Sequence, residues 1–195
     1  MTLTLRISEK AEVSDVKVNG APANFSKGVE KVDTSRNLQR TIVRLPSVAP
    51  NGTISVEINY KLKTDENSGL SALSPAGSQF LPLSFWYPTP NSWYFAHGAD
   101  YAPFNLKVNT ANNLTVLSSG TENANGFEQK LNGQPFFTAG DWEKAETNGV
   151  AVYLPKETGA EGKKRAGELA ALAMEAKAFA GNLLGTALDT SLRII

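Results

Sequence analysis

The residues with the greatest chemical reach lie between Gln79 and Val108, in QFLPLSFWYPTPNSWYFAHGADYAPFNLKV. This stretch carries Trp86, Tyr87, Trp93, Tyr94 and Tyr101, together with His97, the one histidine of the chain. Imidazole and carboxylate, here His97 and Asp100, are groups that hold metals and move protons. A hydrolytic zinc needs three protein ligands, commonly two histidines one helical turn apart and a Glu. One histidine cannot supply that set, and the expected role of His97 is a loop imidazole bonded to local backbone. Serine hydrolysis would rest on the same His97, and no G-x-S-x-G elbow occurs. The 19 acidic residues offer many carboxylate pairs, so their abundance does not single out a glycosidase pair.

The aromatics offer different chemistry. An aromatic ring is a flat apolar platform with a polar edge, suited to stacking on a sugar or lining an extended peptide. Its competing use is to pack the junction between sheets, and that is the role expected of Trp86 and Tyr87. Trp93 and Tyr94 follow the turn-forming Pro88-Thr-Pro-Asn91. Packing and binding stand level for these two, and both are candidate substrate-binding residues.

Composition narrows the classes. The chain has 195 residues, 41% of them apolar and 19% charged, enough material for one domain with an appendage or two small domains. Its 19 basic and 19 acidic residues cancel, and no basic stripe appears, which makes nucleic acid and anionic membranes poor partners. The absence of Cys removes disulfides, thiolate nucleophiles and Cys-ligated zinc. No apolar run approaches the roughly 20 residues that span a bilayer. Met1 leads directly into the alternating Thr2-Leu-Thr-Leu-Arg-Ile7, and the last residues, Ser191 to Ile195, are again strand-like. The expectation is a piece of a longer protein.

The positioning elements are mostly strands. Glu12 to Val18 leads into Asn19-Gly20, a tight-turn dipeptide. Thr41 to Leu45 is a short β-branched run. Ile54, Val56, Ile58, Tyr60 and Leu62 share one face of a half-buried antiparallel strand. Residues 65–77 are polar and small and predict a loop. Phe104 to Val108 and Leu114 to Leu117 predict a strand pair, and Asn132-Gly133 predicts a hairpin between Phe127 to Leu131 and Gln134 to Thr138. Gly149 to Leu154 is the last β run. Ala160 to Leu184 is rich in helix formers, with Gly185 as its stop. Leu169, Leu172, Ala173, Ala176, Ala180, Leu183 and Leu184 predict one apolar stripe that must be buried. The expected fold is mainly β: an antiparallel saddle- or sandwich-like β-domain over 1–155, then a C-terminal amphipathic helix within 156–195.

Gln79 to Gly120 resembles the N-terminal β-domain of the aminopeptidase N type of zinc metallopeptidase, the gluzincin family, which also includes leukotriene A hydrolase. In that domain a strand carries a substrate-anchoring Gln or Glu nine residues before the Pro of a motif like F-P-C-x-D-E-P. A strand of the form A-x-F-x-L-x-V then leads to S-N-G or S-S-G. Here Gln79 stands nine residues before Pro88 of Phe85-Trp-Tyr-Pro88, Asp100-Tyr-Ala-Pro-Phe-Asn-Leu-Lys-Val108 resembles the strand entry, and Ser118-Ser-Gly120 resembles the close. A weaker likeness runs from about Gln39 to the C-terminus.

The family's usual Ala-Arg after the anchor and its Cys are missing, and roughly ten residues, Thr89 to Ala99, are inserted. Neither the G-A-M-E-N-like segment nor H-E-x-x-H…E occurs. The resemblance implies a non-catalytic N-terminal part, with zinc in a catalytic domain that follows residue 195. The implied partners are that domain and a peptide substrate, whose free amino group Gln79 would anchor. A stand-alone β-sandwich module that binds carbohydrate or peptide through Trp93 and Tyr94 is the alternative.

Overall fold

Leu3, Leu5 and Ile7 alternate with polar residues, and the period-two pattern forms the first strand, β1 (Thr2–Ser8). The following strands of the first part are β2 (Ala11–Val18), β3 (Ala21–Pro22), β4 (Phe25–Lys31), β5 (Asn37–Arg44), β6 (Val56–Leu62), β7 (Ser71–Ser74) and β8 (Gly77–Phe80). Next come β9 (Thr89–Pro90), β10 (Ala102–Leu106), β11 (Thr115–Leu117), β12 (Thr121–Asn123), β13 (Gly126–Gly133) and β14 (Phe137–Gly140). The chain ends with β15 (Trp142–Thr147), β16 (Val150–Pro155), α1 (Ala160–Leu184) and β17 (Leu192–Ile194). The computed structural model describes residues 1–32, 37–90, 101–110, 114–186 and 192–195. The chain divides into two compact units, Met1–Ala139 and Gly140–Ile195.

In the first unit, the sheet β4-β5-β1-β9 faces the sheet β3-β2-β6. Val43 and Leu45, with Leu3 and Phe25, meet Val13, Val16 and Val18 across the interior, joined by Ile54, Val56, Ile58 and Tyr60. The expected one-sided face of β6 is therefore the face that is packed. β2 needs a correction to its period, because Val13 and Val16 are three residues apart and both are buried. Ser14 supplies it as the extra residue of a β-bulge against β6. Its hydroxyl donates to the Asn59 carbonyl at 3.1 Å. Asn19 and Gly20, both at positive φ, close the tight turn from β2 into β3 as their types predict.

The same unit holds two further sheets, β11-β14-β8-β7 and β10-β13-β12. Here three expectations give way. Residues 65–77 are not all loop: Ser71–Ser74 forms β7 and pairs with β8. Its Ser-Ala-Leu-Ser shows no apolar alternation, and backbone hydrogen bonds to β8 hold it in place. β10 and β11 do not pair with each other but enter different sheets. Asn132-Gly133 is no turn, because β13 runs on through both residues and Gly133 pairs with Ala102. The two-residue turn after a strand is set by positive φ at both positions, which this Asn-Gly lacks.

The second unit is a hairpin followed by a parallel crossover. Asn148 and Gly149, both at positive φ, join β15 to β16. The chain then passes through α1 to β17, which pairs parallel with β16. Gly185 ends α1 in the left-handed conformation at φ 67°, and the Thr186 N–H bonds back to the Gly181 carbonyl. The expected helix bounds hold, but the expected buried stripe does not. Ala166 and Ala170, with Met174 beside them, pack on Val150, Val152, Leu154, Leu192 and Ile194. Leu169, Leu172, Leu183 and Leu184 are exposed. Small Ala side chains let the helix axis approach the sheet closely, so side-chain size outweighs hydrophobicity in choosing the packed face.

Ser118 and Gly120, from the Ser-Ser-Gly signature, have structural duties. Ser118 is buried and donates to the Phe136 carbonyl at 2.5 Å. Gly120, at φ 85°, and Gly126, at φ 121°, each lie where a Cβ would run into a carbonyl oxygen, that of Glu128 and of Leu106 respectively. Gly20 shares the positive φ but has open space around it. Gly20→Ala is therefore expected to cost only the conformational strain, about 1 kcal/mol. Gly126→Ala adds a backbone clash and should cost at least about 3 kcal/mol. Urea unfolding of both variants checks this, and equal losses would contradict it.

Candidate functional site

β8 alternates its side chains across the sheet. Phe80 turns inward and is buried, while Gln79 turns to the other face. The Gln79 amide Nε2 donates to the Gly69 carbonyl at 2.8 Å. Gly69 stands at positive φ in a loop where the Asn67 side chain accepts from the Gly69 N–H and the Ser68 hydroxyl bonds the Ser71 backbone. With one of its two amide hydrogens given to Gly69, Gln79 keeps its amide oxygen as an acceptor for an ammonium or amide donor. No bond to that oxygen is made among the described residues.

Past β8 the chain turns sharply. Leu81 N–H bonds to the Leu70 carbonyl at 2.8 Å, and the Ser84 hydroxyl to the Leu81 carbonyl at 2.7 Å. Leu83 and Phe85 both adopt positive φ, 69° and 53°, which is unfavourable for bulky side chains. Two neighbouring carbonyls hold this turn. Phe85 O accepts from the Ser8 N–H at 2.8 Å, and Trp86 O accepts from the Tyr60 hydroxyl at 2.8 Å.

The Trp86 ring lies edge-on to Phe137 at 5.4 Å and to Tyr87 at 5.0 Å, and Phe80 stacks on Phe137 at 5.1 Å. Trp86 thus packs the junction between the β6 and β8–β14 sheets, as expected of it, with Tyr87 alongside. Its indole Nε1 is buried with no acceptor among the described residues.

Of the sequence-derived candidates, Gln79 is placed on a strand with a fixed amide orientation. Trp93, Tyr94, His97 and Asp100 lie outside the described residues. Gln79 and the aromatic cluster occupy opposite faces of β8, so the cluster is no extension of a Gln79 site. Sequence reading missed Tyr60 as the partner of Trp86. No local pattern signals it, because the two residues stand 26 apart and meet only when their sheets do. No group of three His, Cys, Asp or Glu side chains able to hold a metal gathers among the described residues. None of the described helices is long and apolar enough to cross a membrane.

Burial pushes the Tyr60 phenol up to about 12. Its neutral form is favoured by folding, so the stability it contributes is complete below about pH 10, the ordinary phenol value, and falls as pH rises towards about 12. Tyr60→Phe is expected to remove one late-titrating phenol from the phenolate absorbance curve of the native protein. It should also cost about 1 kcal/mol for the lost bond to Trp86. Loss of a phenol that titrates near pH 10 instead would show that Tyr60 is open to water.

No protein-family model and no curated sequence matches the chain. Among solved structures it is similar to yeast LTA4 hydrolase in complex with bestatin, at TM-score 0.57 and 18% identity. That match covers 80% of this chain and 26% of the hydrolase. Native leukotriene A4 hydrolase from Saccharomyces cerevisiae matches at TM-score 0.55, with the same identity and coverage. The chain therefore spans about a quarter of the length of the hydrolases it matches. Likeness at this identity establishes architecture, and the chain has the fold of the N-terminal domain region of these hydrolases.

Proposed function

We propose that this chain is the non-catalytic N-terminal part of a gluzincin-type zinc aminopeptidase. In this reading it supports a catalytic domain and presents Gln79 to the free amino group of a peptide substrate. The carrying observation is Gln79 itself. A strand fixes its backbone, Gly69 fixes its amide, and the remaining oxygen is the acceptor an N-terminal ammonium requires. The shared fold with the hydrolase N-terminal region supports the assignment. In the same reading the partners are the chain's own catalytic domain and a peptide. The zinc belongs to that domain, where it would bring the pKa of a bound water near 7. The described residues gather no ligand set for it, and no step of zinc chemistry is assigned to them.

Two outcomes are expected. The purified 195-residue chain should leave aminoacyl chromogenic substrates intact with or without added zinc, and metal-dependent turnover by it would overturn the reading. In the intact protein, Gln79→Ala should raise KM roughly tenfold or more for substrates with a free amine, the worth of one charge-assisted hydrogen bond. N-acetylated peptides should not feel the change. Equal loss for both substrate types, or an unchanged KM, would remove Gln79 from the substrate.

A further inference from the structure

α1 has a second apolar face that its own sheet does not use. Leu169, Leu172, Ala176, Phe179 and Leu183 follow one another at spacings of three and four residues. At 3.6 residues per turn, that row lies about a third of a turn away from Ala166 and Ala170. Leu169, Leu172, Phe179 and Leu183 are 52%, 59%, 69% and 73% exposed. Single exposed apolar residues are ordinary on a protein surface, but a contiguous row at seam spacing marks a docking face. The alternation of three and four is the heptad pattern that keeps a seam facing a partner helix.

The borders of the row define the occupant. Ala173 and Ala180 flank it on the side toward the packed face, and small side chains there admit close approach of another backbone. Glu168, Glu175 and Asn182 flank it on the other side. Glu175 makes no ion pair among the described residues. Glu168 has only Lys164, at 3.9 Å, with both side chains exposed.

We propose that this face docks a second amphipathic helix, one whose apolar heptad seam is bordered by Lys or Arg. A second copy of α1 is a poor occupant. Antiparallel pairing sets the Glu168 and Glu175 borders against each other, and parallel pairing sets them against Ala. Against an anionic bilayer, Glu168 and Glu175 along the border are unfavourable. The proposal is independent of the role assigned to Gln79.

The probes are two synthetic 21-residue helical peptides with Leu at every seam position, one bordered by Lys and the other by Glu. Fluorescence anisotropy with the 195-residue chain should show the Lys-bordered peptide binding at least tenfold more tightly. Phe179→Glu should abolish that binding, and because Phe179 is exposed, circular dichroism should stay unchanged. Replacing both Glu168 and Glu175 with Lys should invert the preference between peptides. Equal binding of the two peptides, or binding that survives Phe179→Glu, would overturn the proposal. So would a dimer of the chain that Phe179→Glu dissolves, which would make the occupant a second copy. Retention on phosphatidylserine vesicles lost in the same variant would overturn it in favour of a membrane.

Discussion

Two consecutive carbonyl groups, those of Phe85 and Trp86, hold the first unit together at the point where three of its sheets meet. Phe85 O receives the N–H of Ser8 at the end of β1, and Trp86 O receives the hydroxyl of Tyr60 on β6. The Trp86 ring closes on Phe80 and Phe137 from β8 and β14. The cost is local, since Leu83 and Phe85 are both driven to positive φ. It is offset by bonds formed away from water, where a buried carbonyl without a donor would be expensive. The strand that carries Gln79 leads directly into this turn, so the position of Gln79 is fixed by the same contacts that join the sheets.

Much of this architecture could be read from the chain, and the failures share a cause. β1, β2, β6 and β16 announce themselves because each buries one face and alternates along the strand, and α1 through its run of helix formers. Asn19-Gly20 could be read as a turn because its neighbours on both sides are strands that pair with each other. Asn132-Gly133 has the same letters and does not turn, since β13 pairs with β10 and β12 rather than with the strand that follows. β7 was invisible, as Ser-Ala-Leu-Ser carries no alternation. Which strand meets which is a property of distant segments, and local pattern does not encode it. The misassigned helix face has the same origin. The leucines mark where α1 is most apolar, whereas the sheet selects Ala166 and Ala170, where it is narrowest.

The site was legible to a similar depth. The strand position of Gln79 followed from its neighbours, but the partner that orients its amide is Gly69, ten residues back in a loop that carries no signal of its own. Ser118-Ser-Gly120 drew notice as a signature and proves to be architecture. Ser118 ties β11 to Phe136, and Gly120 permits two backbones to touch. A run that resembles a family signature need not be where chemistry happens. A turn that only Gly can make and a buried hydroxyl that only one carbonyl can satisfy are constraints as strict as catalysis.

The electrostatics argue in the same direction. Among the described residues, the displaced carboxylates and amines are Glu12, held low by Lys63, and Glu57, held low by Lys17, with both lysines correspondingly raised. These are cross-strand pairs between β2 and the β6 edge, open to solvent, where salt screens them. The Tyr60 phenol is strongly displaced, and desolvation moves it away from neutral pH, not towards it. A group that moves protons near pH 7 needs the opposite tuning. Beside these groups the first unit holds the Gln79 amide against the Gly69 carbonyl at 2.8 Å.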